Sequence, residues 1–107
     1  MKSSNYRTLD DAEESYFKEH PEEIDDYIAL IFDEYAEDGD TGALLASLRV
    51  LSRVKGVGKI AEKAGMSRKG VQKALSTSGN PAFASVNSIM NAMGYRLSPR
   101  KISGEAQ

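Results

Sequence analysis

Apolar residues recur at helical spacing in several blocks of this chain. Ile24, Tyr27, Ile28, Ile31 and Tyr35 fall on one face of a helix that Pro21 opens and Gly39 stops. Glu22, Glu23, Asp25 and Asp26 suit the positive end of its dipole. Leu44, Leu45, Leu48 and Leu51 make the apolar face of a second helix, which Asp40 can cap and which runs to about Val54. Arg49, Arg53 and Lys55 lie near its end, where cations oppose the negative dipole, and Gly56 breaks the chain. A short helix over about 58–64 carries Ile60, Ala61 and Ala64 and ends at Gly65. Ser67 can cap the next helix, about 68–75, with Val71, Ala74 and Leu75 on its buried side. Residues 76–81 read as a loop. A last helix over about 83–93 places Phe83, Val86, Ile89, Met90 and Met93 on one face, with Gly94 as its stop. Tyr95-Arg96-Leu97 reads as a short extended segment that Pro99 ends.

The pattern predicts an all-α domain of about five helices with a short C-terminal extended segment. Residues 1–14 are polar and acidic, with Tyr6 and Leu9 among few apolar side chains, and read as an arm with little structure of its own. Tyr16 and Phe17 anchor its end to the core. The expected organisation is an acidic flexible arm over 1–19, a helix-turn-helix domain over 20–98 with its motif at 57–76, and a polar tail over 99–107. There is no internal repeat and no low-complexity tract.

A chain of 107 residues with 40% hydrophobic content fits one domain with a small core, which gains from dimerising. The absence of Cys excludes disulfides, thiolate metal sites and Cys nucleophiles. No apolar run approaches the roughly 18 residues of a membrane span, and the start Met1-Lys2-Ser3-Ser4-Asn5 is polar. These features lead to the expectation of a soluble, cytoplasmic protein.

The formal net charge of -2 conceals an asymmetry. Residues 1–40 hold 14 Asp/Glu against three Lys/Arg, a net of -11; residues 41–107 hold 11 Lys/Arg against two Asp/Glu, a net of +9. Such a split points to partners of opposite sign for the two halves. The basic half suits phosphate. The acidic half suits a basic protein, or keeps the arm off DNA.

Residues 58–75 have the layout of a helix-turn-helix. Ala61 is small where the second helix crosses the first, Gly65 can take positive φ at the turn, and Met66 plugs the gap between the helices. Ser67 caps the second helix through its hydroxyl, while Val71 joins Ile60, Ala64, Ala74 and Leu75 in the shared seam. Arg68, Lys69, Gln72 and Lys73 are left on the solvent side. Arg pairs with guanine edges and Gln with adenine edges in the major groove, and recognition helices reach bases with their N-terminal residues. Arg68, Lys69 and Gln72 are therefore the candidate base contacts. Lys59, Ser67, Lys73, Ser76 and Thr77 are the candidate phosphate contacts.

From Tyr16 to Ser98 the sequence also resembles the antidote proteins of prophage-type addiction modules, the HigA-like antitoxins with an Xre/Cro-type helix-turn-helix. The carriers are His20-Pro21-Glu22 with Tyr27, Gly39-Asp40, Ile60-Ala61, Gly65-Met66-Ser67-Arg68, Lys73-Ala74-Leu75-Ser76, Gly79-Asn80-Pro81-Ala82-Phe83, and Met93-Gly94-Tyr95-Arg96-Leu97-Ser98. The resemblance implies a λ-repressor-like domain, a homodimer on a palindromic double-stranded operator, and a toxin of the RelE/HigB type encoded next door. The chain departs from the family where Gly58 replaces a common Thr, Lys59 a common Gln and Gln72 a common aromatic. Gly70 weakens the recognition helix by about 1 kcal/mol relative to Ala, and a glycine there suits close approach of the backbone to DNA.

Other chemistry finds little support in the sequence. The single His20 precedes Pro21 and reads as a helix-entry residue, so no His-carboxylate-nucleophile set can be assembled without it. Asp38-Gly39-Asp40 lacks the ligand spacing of a calcium loop, and Gly56-Val57-Gly58-Lys59 lacks the Walker A spacing. No enzyme, cofactor or metal is expected. The expected function is a DNA-binding autorepressor that is also an antitoxin; the alternative is a stand-alone prophage-type regulator without a toxin.

Overall fold

The helix over Thr41–Lys55 sits at the centre of the fold. Leu45, Leu48, Val50, Leu51 and Ser52 are all buried, so burial runs round more than one face and other elements must cover the helix on several sides. The computed structural model describes residues 9–76 and 80–102. In chain order its helices are α1 (Leu9–Glu19), a 3-10 turn (Pro21–Glu23), α2 (Ile24–Asp38), α3 (Thr41–Lys55), α4 (Val57–Ala64), α5 (Arg68–Ala74) and α6 (Phe83–Met93). α1, α2 and α4 each pack on α3, while α4, α5 and α6 pack on one another. No strand occurs among the described residues, and the fold is all-α.

The helix boundaries follow local chemistry. The Asp40 carboxylate accepts the Ala43 N–H at 3.0 Å and caps α3. α2, α3, α4 and α6 end at Gly39, Gly56, Gly65 and Gly94, the glycines the sequence marks. Pro21 opens a 3-10 turn rather than α2 itself, which begins at Ile24. One core joins the layers: Leu48, Leu51, Val71, Leu75 and Ile89 have no exposed surface. Phe83 departs from the expected apolar face, since as the first residue of α6 it lies beyond the turns that meet the core and is 74% exposed.

The N-terminal segment differs most from expectation. Residues 9–19, read as part of a flexible arm, form a helix docked on α3. Its one buried residue, Phe17, packs its ring 4.7 Å from that of Tyr27. Its acidic residues meet two arginines of α3. Arg53 Nε donates to Glu14 at 2.8 Å, and Arg53 and Arg49 lie 3.9 and 3.7 Å from Asp11 and Asp10. Asp10 and Asp11 also favour the N-terminal end of the dipole, and Lys18 the C-terminal end. A segment poor in apolar residues thus docks through one buried ring, Phe17, supplemented by ion pairs to α3.

The C-terminal segment forms no strand and is held against the helices by side chains. Tyr95 donates its hydroxyl to Asp25 of α2 and lies under the Lys55 ammonium, 5.5 Å from its ring centre. Burial, together with the Asp25 carboxylate, pushes the Tyr95 phenol far above its ordinary value. Arg100 pairs with Asp33 at 3.0 Å.

Candidate nucleic-acid interface

α4, the turn after it and α5 build the candidate site. Gly65 takes φ +69°, a conformation that costs glycine little and β-branched residues much. Its neighbour Met66 donates its N–H to Ala61 O at 2.9 Å, closing the turn, while the Met66 side chain packs against the core. Ser67 is extended, and its Oγ accepts the Gly70 N–H at 2.9 Å, satisfying a free donor of the first turn of α5. Ala61 and Val71 are buried in the core cluster. Of the residues that the sequence assigned to the motif, Gly65 and Met66 form the turn between α4 and α5, and Ala61 and Val71 lie in the core.

The far end of α5 is held from a helix the motif does not include. Arg49 of α3 donates from Nη1 to Leu75 O at 2.7 Å. Sequence reasoning gave Arg49 only a role at the end of its own helix. The available signal was its spacing of four from Leu45, which turns it toward the core side of α3.

The opposite side of the motif is polar and basic. Lys59, Ser67, Arg68, Lys69, Gln72 and Lys73 are all exposed. Among the described residues, Lys59, Arg68, Lys69 and Lys73 have no carboxylate within ion-pair distance, as is true of Lys55, Lys63, Arg96 and Lys101, whereas Lys18, Arg49, Arg53 and Arg100 are paired. Ser76 is partly buried; its hydroxyl proton goes to Lys73 O at 3.0 Å and is not free for a phosphate. Thr77 lies outside the described residues.

Two glycines look different in three dimensions. Gly70 turns its Cα toward the cap, where a β-carbon would meet Ser67 Oγ at 3.1 Å and Met66 Cε at 3.6 Å. The lack of a side chain at Gly70 thus leaves room for the capping hydroxyl and the turn methionine. Gly58 faces Arg68: a β-carbon there would stand 2.7 Å from Arg68 Nη2.

The acidic half is built differently. Glu14, between Arg53 and Lys18, is held below the ordinary carboxylate value by hydrogen bonds from both, Arg53 foremost. Tyr16 donates its hydroxyl to both oxygens of Glu23 at 2.8 and 2.7 Å, which raises the phenol. Glu19, Asp26, Glu34 and Glu37 are exposed, with no ion pair among the described residues. His20, Glu22 and Glu23 bring ligand atoms within 4.8 Å of one another, but the two carboxylates are exposed and Glu23 is engaged by Tyr16. The Asp38 and Asp40 carboxylates accept backbone N–H groups, at 2.9 and 3.0 Å, as turn and cap. No helix among the described residues is long and apolar enough to cross a membrane.

Comparison with known proteins gives a family match. Residues 7–101 match the family model described as "Probable addiction module antidote protein". An "Uncharacterized protein" of Haemophilus influenzae is 36% identical over 70 residues, which cover 65% of this chain and 72% of the relative. No solved structure matches the chain.

Proposed function

Since the chain belongs to the probable addiction module antidote family, we propose that it is the antitoxin of a toxin-antitoxin module and the repressor of its own operator. It resembles the HigA-like branch, with an Xre/Cro-type motif. The observation that carries the DNA-binding part is the group of exposed cations without ion pairs, Lys59, Arg68, Lys69 and Lys73, clustered on α4 and α5. Cations left without carboxylate partners are available to phosphates and base edges, and their neutralisation by DNA releases counterions. Arg68, Lys69 and Gln72, in the first two turns of α5, read base edges in the major groove. Lys59, Ser67 and Lys73 hold phosphates, and Thr77 and Ser76 follow. Ser76 ranks last because a phosphate contact costs it the Lys73 bond. A homodimer presents two such helices to a palindromic site.

The exposed acids Glu19, Asp26, Glu34 and Glu37 supply the second surface. They repel DNA and attract a basic protein, so they steer a RelE/HigB-type toxin to the face away from the operator. Two experiments on the full chain test the pair of roles. A gel-shift with the DNA upstream of the gene should give a sequence-specific complex, and co-expression with the adjacent small protein should give co-purification. A gel-shift without co-purification leaves a stand-alone prophage-type regulator. No gel-shift removes the repressor role.

A further inference from the structure

Gly58 has no side chain with which to read a base, yet it decides where the Arg68 guanidinium lies. Arg68 is the first residue of α5, and Gly58 lies in the first turn of α4. The guanidinium folds back across that turn. A β-carbon on Gly58 would stand 2.7 Å from Arg68 Nη2, 3.1 Å from Nε and 3.2 Å from Cζ. Real β-carbons do not come within 2.7 Å of a heavy atom, and the other two distances are tight, so any other residue at 58 makes the guanidinium shift from this place. Glycine is otherwise a poor choice there, because it weakens a helix relative to alanine, and no side chain caps α4.

We propose that Gly58 is a specificity determinant of the DNA-reading surface, acting as a positioning residue through Arg68. The inference rests on the reading of Arg68 as a base contact. The atoms in the way of a β-carbon are the free end of a long side chain, with no backbone among them. A larger residue at 58 therefore leaves the fold intact and moves only the guanidinium. Moved off its seat, Arg68 projects further from the α4–α5 joint and reaches a different base edge or a phosphate. Arg discriminates guanine by a bidentate fork whose geometry is strict, so such a displacement changes sequence preference more than total affinity. Gly58 does not take a positive φ, so alanine fits its backbone without strain.

The test is selection from a duplex library in which each base pair of the upstream DNA is randomised in turn. The proteins are the full-length parent, Gly58→Ala, Arg68→Ala and the double variant. Melting curves should show Gly58→Ala as stable as the parent or more so. Its preferred bases should change at the positions that Arg68→Ala relaxes, by about tenfold, as expected for one bidentate contact. Affinity for random DNA should stay within about twofold of the parent. The double variant should give the same preferences as Arg68→Ala alone. A Gly58→Ala selection identical to the parent's would overturn the inference while leaving the DNA-binding reading in place. So would a Gly58→Ala effect that persists without Arg68. A parent that selects no sequence would overturn both, and a parent whose selection ignores Arg68→Ala would remove the base contact on which the inference stands. Gly58→Ser, with a small polar side chain, should move the preference at the same positions as Gly58→Ala. A shift at other positions would also count against the proposal.

Discussion

Arg49 holds the end of the candidate recognition helix: its Nη1 donates to the carbonyl oxygen of Leu75 at 2.7 Å. The same guanidinium faces Asp10 of α1 at 3.7 Å. One side chain of the central helix thus touches both the acidic N-terminal helix and the last turn of the basic one. Arg49→Ala leaves a partly buried carbonyl without that partner. The expected cost is about 1–3 kcal/mol, or roughly 4–8 °C in melting temperature per kcal/mol for a domain of this size. Arg49→Lys keeps the charge but not the fork, and should fall between the two. Thermal melts followed by circular dichroism check this. An Arg49→Ala protein that melts with the parent would show that the contact does not hold α5.

Gly65 is needed for its backbone angle and not for space. Nothing lies within 4 Å of the position of its missing β-carbon, so the turn has room for a side chain, while φ +69° demands a residue that tolerates it. Gly65→Asn should therefore cost well under the roughly 1–2 kcal/mol that a β-branched residue pays in this region. Gly65→Val should lower the melting temperature clearly more than Gly65→Asn. Equal losses for the two would point to sterics after all.

Phe17 decides whether the N-terminal segment is an arm or a helix of the fold. It is the buried residue of α1, packed on Tyr27. Phe17→Ala should destabilise by about 3–5 kcal/mol, as for other buried phenylalanines, measured by chemical denaturation. Little or no change would return residues 9–19 to a loosely attached arm.

These cases also mark what the sequence could show. The turn between α4 and α5 was legible, because Gly65 answers a constraint of backbone angle and Ser67 one of capping. α6 was legible to the residue, since its apolar period and Gly94 agree. α1 was not, because the partners that dock it, Tyr27 for Phe17 and Arg49 and Arg53 for its acids, lie about 10 to 40 positions further along the chain. Nor was the seat of Arg68, since a glycine in a sequence does not reveal which side chain will lie across it. Phe83 misled because the period of an apolar face does not show where the core stops covering it.

Glu14 should give the stability an acid limb. Its folded value is depressed below the ordinary 4.5 by Arg53 and then Lys18. A depressed carboxyl contributes stability that is present above the unfolded value and lost as pH falls through the folded one. Parent and Glu14→Gln should therefore differ in stability at pH 7. The difference should shrink below about pH 4.5 and vanish in stronger acid. Urea titrations at a series of pH values measure it. A difference that stays constant with pH would mean that Glu14 acts by packing and not by charge.

The basic face of α4 and α5 carries the proposed function, and its salt dependence tests that most directly. The full-length protein is titrated with the DNA upstream of its gene at a series of salt concentrations, and log affinity is plotted against log salt. A dimer that uses Lys59, Lys73 and their neighbours to neutralise about 6–8 phosphates should give a slope of roughly -5 to -7. Lys59→Ala should make the slope shallower. A slope near zero, or one that Lys59→Ala and Lys73→Ala leave unchanged, would contradict the assignment of this face to DNA.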